Sequence, residues 1–478
     1  MTTITEGYLN HPLFTLVSET ARLKGVRAFV IGGYVRDCFL GRENNDIDIV
    51  VEGSGIELAS AVAAKIGTNV SVFRNFGTAM LHFKGIEVEF VGARKESYNR
   101  GSRKPVVENG SLEEDQMRRD FTINAMAFSL QKEDFGALVD PFGGIRDLDS
   151  GIIRTPLDPD TTYSDDPLRM FRAIRFATKL STPEHQFHIT DESFESIKRN
   201  AYRVEILSKE RIVEEVNKML LTDVPSKAFR LMDEAGLLGQ FLPSLVKLKG
   251  TETVDGKGHK ENFSHTLKVL DNVAETDREG KLWLRWAALL HDIGKPATKR
   301  FVQGTGWTFY GHEVVGARMV PKIFESLRMP LNEKMKYVQK LVGLHLRPIA
   351  LVDDEVTDSA VRRLLFDAGE DIDDLMILCN ADITSKNPEK VARLRRNFDL
   401  VKAKLVEVEQ KDAIRNFKNP ITGDYVMETF GIPPCNTIGE LKEYVKNAIL
   451  DGIIGNNFEE ADALMRKKAS ELGLKPVK

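Results

Sequence analysis

Asp46 and Asp48 stand two residues apart in Asp46-Ile47-Asp48-Ile49-Val50, and the apolar residues around them predict a strand. Positions i and i+2 of a strand share a face, so both carboxylates point the same way. Two hard oxygen ligands on a rigid strand suit Mg²⁺. Upstream, Ile31-Gly32-Gly33-Tyr34-Val35-Arg36-Asp37 ends the apolar run Ala28–Ile31 on two glycines and starts a helix. Glycines let backbone N–H groups approach a phosphate closely, at the positive end of that helix. Carboxylate pair and cradle together predict Mg²⁺ bridging the aspartates and a nucleoside triphosphate, and a two-metal transfer in which a pair of such ions activates a 3′-hydroxyl and neutralises the leaving pyrophosphate. Either half alone reads as a turn or a loop edge; the combination carries the reading. Glu87 and Glu89, in the alternating run Leu81–Val91, share a face and offer a third carboxylate.

A second constellation follows later in the chain. It runs His265-Thr266-Leu267, Leu289-Leu290-His291-Asp292-Ile293-Gly294-Lys295, Gly311-His312-Glu313, His345 and Asp382. A His-Asp pair closing an apolar helix, with distant His and Asp, is how a helical bundle builds a metal site. Histidine favours a transition metal such as Ni²⁺, Mn²⁺ or Co²⁺ over Mg²⁺. A lone His on an apolar helix reads as a satisfied core residue; six positions in this order do not.

Ser164-Asp165-Asp166-Pro167-Leu168-Arg169 precedes a helix, with Pro167 at its first position and Asp166 as its cap. Asp166 and Arg169 are three apart and read either as a capped salt pair or as a base reader. Cytosine and adenine each show an amino donor beside a ring-nitrogen acceptor. A carboxylate and a guanidinium match that pattern and mismatch uracil and guanine. Arg172, one turn on, is placed to support a phosphate or a neighbouring base. The polar, poorly periodic stretch Arg94–Met117 reads by itself as a surface loop.

The head motifs resemble the bacterial tRNA nucleotidyltransferases and their poly(A) polymerase relatives. Gly32, Gly33, Arg36 and Asp37 with Asp46 and Asp48 match the first motif, and Arg118-Arg119-Asp120-Phe121-Thr122-Ile123-Asn124-Ala125 matches the second. The resemblance implies that Arg118, Arg119, Asp120 and Asn124 handle the nucleotide's phosphates and ribose. Read alone, Arg118-Arg119-Asp120 is equally a salt-bridged helix start. Asp140–Leu148 is similar to the family's hinge motif, with Gly144 and Asp147 at matching positions, and reads equally as a turn. Asp165, Asp166 and Arg169 match the block that selects C and A, with Asp165 where the family usually carries Glu. Arg94–Met117 matches in position the flexible loop of the CCA-adding members, and the resemblance implies a lever that reshapes the pocket for the terminal A. The His/Asp series resembles the HD phosphohydrolase superfamily, which implies a minimal ligand set of His265, His291, Asp292 and Asp382, with His312 and His345 available to a second ion. Asn419–Asn457, with Phe430–Cys435 and Ile449–Ile453, looks like the tail that grips tRNA; Cys435 stands where glycine is commoner.

These sites need elements to hold them. In 478 residues, 42% are hydrophobic and 29% charged, which excludes a disordered or fibrous chain and leaves room for about three or four domains. Strand signals fill the first 150 residues and helical ones most of the rest. The predicted fold class is α+β: a small mixed nucleotidyltransferase head at 1–150, then an all-α neck at 151–248, an HD body at 249–385 and a tRNA-binding tail at 386–478. Cys38, Cys379 and Cys435 are far apart and form no CxxC, which excludes a disulfide scaffold and predicts a reducing, cytoplasmic setting. The first twenty residues show no secretory signal, and no apolar run spans a bilayer. The net charge of −4 does not by itself mark a nucleic-acid binder. Basic residues nonetheless outnumber acidic ones over Arg94–Arg119 and Lys386–Lys418, which reads as a basic track or a solvated face.

The resemblance thus implies an enzyme that adds C, C and A to tRNA 3′ ends from CTP and ATP, as a monomer or dimer. The HD body would add a phosphatase or 2′,3′-cyclic phosphodiesterase activity. The alternatives are a CC-adding, A-adding or poly(A)-adding relative, an HD phosphohydrolase whose head only binds nucleotide, and a non-enzymatic RNA binder.

Overall fold

The computed structural model describes residues 6–97, 106–254, 257–258, 261–353, 357–384, 387–412 and 417–477. The chain divides into two compact units, Met1–Pro243 and Ser244–Lys478.

The first unit opens with helix α1 (Pro12–Lys24), strand β1 (Arg27–Ile31), helix α2 (Gly33–Phe39), strand β2 (Asp46–Glu52) and helix α3 (Gly55–Ile66). Strands β3 (Val70–Phe73), β4 (Thr78–Phe83) and β5 (Ile86–Gly92) follow, then β6 (Arg94–Ser97) and β7 (Val106–Asn109). Helix α4 (Leu112–Met117), β8 (Ala127–Ser129), β9 (Leu138–Val139) and helix α5 (Gly144–Asp149) complete the head. Seven strands form one sheet in the order β3-β4-β5-β2-β1-β8-β9. Ala28, Phe29, Val30 and Ile31 are fully buried, which explains why β1 reads as a continuous apolar run rather than an alternating one.

β2 pairs antiparallel with β1, setting Ile31 opposite Asp48, and parallel with β5, setting Asp46 beside Glu87 and Asp48 beside Glu89. The alternation over Leu81–Val91 predicts one strand, but the chain folds there into the β4–β5 hairpin. Lys84 (φ 49°) and Gly85 (φ 83°) form its two-residue turn, and positive φ at both central positions is what a tight hairpin needs. Arg94–Met117 departs from the expected loop as well. Its described parts are the antiparallel ribbon β6–β7 and helix α4, started by a capping box of Ser111 and Glu114. Residues 98–105 of that segment lie outside the described residues.

Helix α6 (Pro159–Asp165) and helix α7 (Leu168–Lys179) follow the head. Leu168, Phe171, Phe176 and Leu180 are buried, as the helical period predicts. Arg175 is buried too, because Glu215 from helix Lys209–Leu220 neutralises it at 2.5 Å.

Among its described residues the second unit is helical apart from two short ribbons. Helices Asn262–Thr276, Leu282–Leu290, His312–Ser326, Glu333–Leu344 and Ile372–Asp382 build its first half. Helices Gly423–Phe430, Asn436–Leu450 and Phe458–Glu471 enclose a separate core around Val426, Leu441, Val445 and Met465. Cys435 is extended (φ −152°), a conformation open to any residue, so the missing glycine leaves that turn intact. Among the described residues no helix is long and apolar enough to cross a membrane.

Candidate active site and candidate metal centre

Asp46 is exposed at the start of β2, and Asp48 is half-buried on the same face. Burial pushes the Asp48 carboxyl up to about 6; Arg119 opposes this, while Asp46, Glu89 and Asp115 reinforce it. Carboxylates crowding one strand end with incomplete cationic compensation form a donor set suited to a divalent cation. Gly32 adopts φ +85°, and a Cβ there would lie 2.9 Å from Arg119 Nη1 and 3.5 Å from Asp48 Oδ2. The glycine therefore brings the metal strand and the second motif together.

The two arginines of that motif are held from below by Asp115, which sequence reasoning missed. Arg118 reaches Asp115 Oδ1 at 2.6 Å, and Arg119 Nε reaches Oδ2 at 3.2 Å. The spacings of three and four residues were a legible signal. Glu96 of β6 also accepts from Arg118, at 3.1 Å, and no local pattern announced it.

Asp120, Asn124, Arg36 and Asp37 are buried and bonded to one another. Arg36 Nε donates to Asp37 Oδ1 at 2.8 Å, Arg36 Nη1 to Asn124 Oδ1 at 2.7 Å, and Asn124 Nδ2 to Asp120 Oδ1 at 3.0 Å. Arg172 Nε donates to Asp120 Oδ2 at 2.7 Å. Burial alone would raise the Asp120 carboxyl, but Arg172, the Asn124 amide and Arg169 outweigh it and hold it at about 2.

Asp166 accepts from Leu168 N at 3.2 Å, so it caps α7, with Pro167 one position earlier than the sequence predicts. Arg169 Nη2 donates to the Arg118 carbonyl at 2.6 Å. Asp165 and Arg169, together with Glu96, Arg118 and Thr162, line a cavity of about 270 Å³. Asp166 does not line it. Thr122 and Arg154 both donate to Asp147, and a Cβ on Gly144 would collide with the Thr122 carbonyl, which fixes the hinge-motif turn against the second motif.

The six residues of the later series converge in the second unit. His265 Nε2 lies 2.8 Å from Asp382 Oδ1 and 3.5 Å from Asp292 Oδ2. His291 Nε2 is 3.3 Å from Asp292 Oδ2, and His312 Nε2 is 3.3 Å and His345 Nε2 3.9 Å from Asp292 Oδ1. Among the described residues two groups have ligand atoms close enough to share an ion: His265, His291 and Asp292, and Asp292, His312 and His345.

The rings are pre-oriented. Nδ1 of His291, His312 and His345 donates to the carbonyls of Ala288, Phe309 and Val342 at 2.7–2.8 Å. Each Nε2 then faces inward, buried and without a hydrogen-bond partner. Three such atoms around one carboxylate fit a metal ion. Burial and the neighbouring His291 lower the His345 ring to about 4, against Asp292 and Asp382. Gly294 permits this approach, since a Cβ there would collide with the His312 carbonyl. Lys295 Nζ at 2.6 Å from Asp292 Oδ2 and Thr384 Oγ1 at 3.0 Å from His265 Nδ1 complete the shell; the sequence reading gave neither a role.

Comparisons with known proteins cover the regions that hold both sites. Residues 28–154 match the poly A polymerase head domain, 186–248 the probable RNA and SrmB-binding site of polymerase A, and 262–387 the HD domain. The A-adding tRNA nucleotidyltransferase of Deinococcus radiodurans is 30% identical over 76% of this chain and 80% of its own length. The multifunctional CCA protein of Ralstonia nicotianae is 32% identical over 64% and 70%. The A-adding tRNA nucleotidyltransferase of Aquifex aeolicus is 51% identical over a third of this chain (33%), and the chain spans only 19% of that relative's length. A crystal structure of a tRNA nucleotidyltransferase with a primer tRNA and an incoming ATP analog superposes with a TM-score of 0.58 at 26% identity, covering 82% of this chain and 99% of that one. With the two relatives aligned over most of their lengths, and the head, RNA-binding and HD regions in the order the motifs predict, the chain belongs to the tRNA nucleotidyltransferase family.

Proposed function

We propose that this chain adds C, C and A to the 3′ end of tRNA from CTP and ATP. The four-part division into head, neck, HD body and tail is retained in this reading. The observation that carries it is the 2.6 Å bond from Arg169 to the Arg118 carbonyl, which joins the base-selecting helix to the phosphate- and ribose-handling motif. In each round the primer's 3′-oxygen bonds to the α-phosphorus, the bond to the β,γ-pyrophosphate breaks, and pyrophosphate leaves. Asp46 and Asp48 would hold Mg²⁺, which supplies charge neutralisation and lowers the cost of deprotonating the hydroxyl. Gly32, Gly33, Arg118 and Arg119 would receive the triphosphate. Asp165, Asp166 and Arg169 would read the base edge, rejecting U and G by mispaired polar groups.

The test is to incubate tRNA lacking its 3′ end with all four nucleoside triphosphates and sequence the product ends. CCA ends support the proposal. Addition of A alone, and only to tRNA already ending in CC, supports the A-adding reading, which the similarity to the Deinococcus and Aquifex proteins favours.

The three inward-facing Nε2 atoms gathered around the Asp292 carboxylate favour a second activity in the HD body. His265, His291, Asp292 and Asp382 would hold a transition-metal ion such as Ni²⁺, Mn²⁺ or Co²⁺, with His312 and His345 free to take another. Bound there, the ion supplies Lewis-acid activation for phosphoester hydrolysis. Turnover of a 2′,3′-cyclic phosphate with one of these metals, lost in His291→Ala and Asp292→Ala while nucleotide addition persists, is the expected result. No turnover with any metal refutes this activity.

A further inference from the structure

The metal strand and the base-selecting helix are joined by an unbroken series of side-chain hydrogen bonds. It starts on α7, where Arg172 Nη2 pairs with Asp120 Oδ2 at 2.6 Å. Asp120 accepts from Asn124, Asn124 accepts from Arg36, and Arg36 pairs with Asp37 at 2.7 Å. Asp37 Oδ2 then accepts from Asn44 Nδ2 at 2.7 Å, and Asn44 Oδ1 accepts from the Asp46 main-chain N–H at 2.9 Å. Phe176 of α7 packs beneath the Arg36 guanidinium, 5.1 Å from the ring centroid, so the same helix also touches the middle of the series.

Each link has a direction. Both asparagines donate to a carboxylate on one side and accept from an N–H on the other, so neither amide can be reversed without setting donor against donor. Arg36, Asp37, Asp120 and Asn124 are all under a tenth exposed, so a broken link would leave a buried polar group unpaired. The resemblance assigns Arg36 and Asp37 to the nucleotide. Here the Arg36 Nε and Nη1 and both Asp37 carboxylate oxygens are already bonded inside the protein.

We propose that Arg36, Asp37 and Asn44 are positioning residues that set the register of the Asp46–Asp48 strand against the helix carrying Arg169 and Arg172. This rests on the nucleotidyltransferase reading above. Transfer needs the α-phosphorus and the primer oxygen in line, and displacements of about 1 Å reduce such rates steeply. The base fixes the nucleotide at one end and the metal strand fixes the phosphates at the other. The series keeps that separation constant.

The test is steady-state addition of the first nucleotide to a shortened tRNA, comparing CTP with UTP. Asn44→Asp keeps the acceptor for Asp46 but turns a carboxylate toward Asp37. It should lower kcat with CTP about tenfold or more, leave the KM for CTP within about threefold, and narrow the CTP/UTP ratio. Asp37→Asn alone should do the same, because either way its amide turns an NH₂ faces a donor, the Asn44 amide or the Arg36 guanidinium. The double variant Asp37→Asn with Asn44→Asp restores a donor–acceptor pair and should recover most of kcat and the ratio.

A nucleotide-contact role would instead raise KM and show no rescue, which overturns the proposal. Rescue of the melting temperature without rescue of kcat or of the ratio would reduce the series to a structural feature and also overturns it. Should Asn44→Asp fail to fold, Asn44→Ala, which adds no charge, carries the same measurement with the same expected losses. Absence of nucleotide addition in the wild type would instead sink the nucleotidyltransferase reading, so the two failures are distinguishable.

Discussion

Gly32 and Arg119 approach so closely that no side chain fits between them: a Cβ on Gly32 would lie 2.9 Å from the Arg119 Nη1 atom. That guanidinium cannot retreat freely, because its Nε is bonded to the buried Asp115. Position 32 also has φ +85°, which an L side chain adopts only with strain of about 1–3 kcal/mol. Gly32→Ala should therefore lower the melting temperature and cut nucleotide addition by about a hundredfold or more. At Gly33 a Cβ meets Arg36 Nη2 and Asn44 Nδ2 at an ordinary 3.7 Å. Gly33→Ala should therefore melt like the wild type. Equal melting of all three proteins would show that the close contact is unimportant.

Removing one carboxylate of the metal pair should stop chemistry and spare tRNA binding. For Asp46→Ala and Asp48→Ala we expect at least about a thousandfold loss of kcat, the scale of losing a charge-stabilising group from a transition state. Binding of tRNA, measured by gel shift, should stay within about threefold. More than a trace of addition by either variant would remove these residues from the catalytic role.

The helix start proposed to select the base is anchored twice, through Asp166 to Leu168 N and through Arg169 to the Arg118 carbonyl. Asp166→Ala and Arg169→Ala should relax discrimination against UTP and GTP by about ten- to a hundredfold, the worth of one buried polar mismatch. Competition assays that show the same C/A preference at a lower rate would leave the pair as a helix cap. Because Asp165 and Arg169 line the cavity and Asp166 does not, Asp165→Ala belongs in the same series.

What the sequence could reveal follows from where each partner sits. The Asp46–Asp48 face was legible because strand periodicity is local. The His/Asp series was legible because His291 and His345 close helices, His312 opens one and His265 lies in the first turns of another. Asp115 was within reach through its spacing to Arg118 and Arg119. The β4–β5 turn was hidden because Glu87 and Glu89 continue the alternation across Lys84-Gly85. Glu96, Glu215 and Asn44 were hidden for another reason: their partners Arg118, Arg175 and Asp37 are brought to them by tertiary packing, which no local period encodes.

Asp120 should make folding sensitive to acid. Its carboxyl is held at about 2, below its unfolded value near 3.9, so its stabilisation is fully present above about pH 5. It is lost as pH falls from about 5 towards 2, when the folded state must give up its Arg172 and Asn124 bonds to take a proton. The size is about 2 kcal/mol. Chemical denaturation of the wild type and of Asp120→Asn between pH 3 and 7 checks this. The difference between them should be largest near neutrality and shrink on acidification. A constant difference would mean that Asp120 is not ionised in the fold.

The ribbon β6–β7 is expected to govern the last step of addition, the change from C to A. Glu96 on β6 is nearly buried, pairs with Arg94 at 3.0 Å and with Arg118 at 3.1 Å, and lines the cavity shared with Asp165 and Arg169. A displacement of β6 therefore moves the Arg118 carbonyl that fixes Arg169, and with it the width of the base pocket. A purine needs a wider pocket than a pyrimidine, and a ribbon at the wall of the site can supply that change between rounds. Shortening the connection within residues 98–105, outside the described residues, should leave CC addition near normal and stop the terminal A. Glu96→Gln keeps the size of the side chain but weakens the ionic grip on Arg118, and should slow A addition more than C addition. Sequencing product ends at several time points separates the steps. Full CCA ends at wild-type rate from the shortened protein would rule out the ribbon as the moving part and leave it a surface feature.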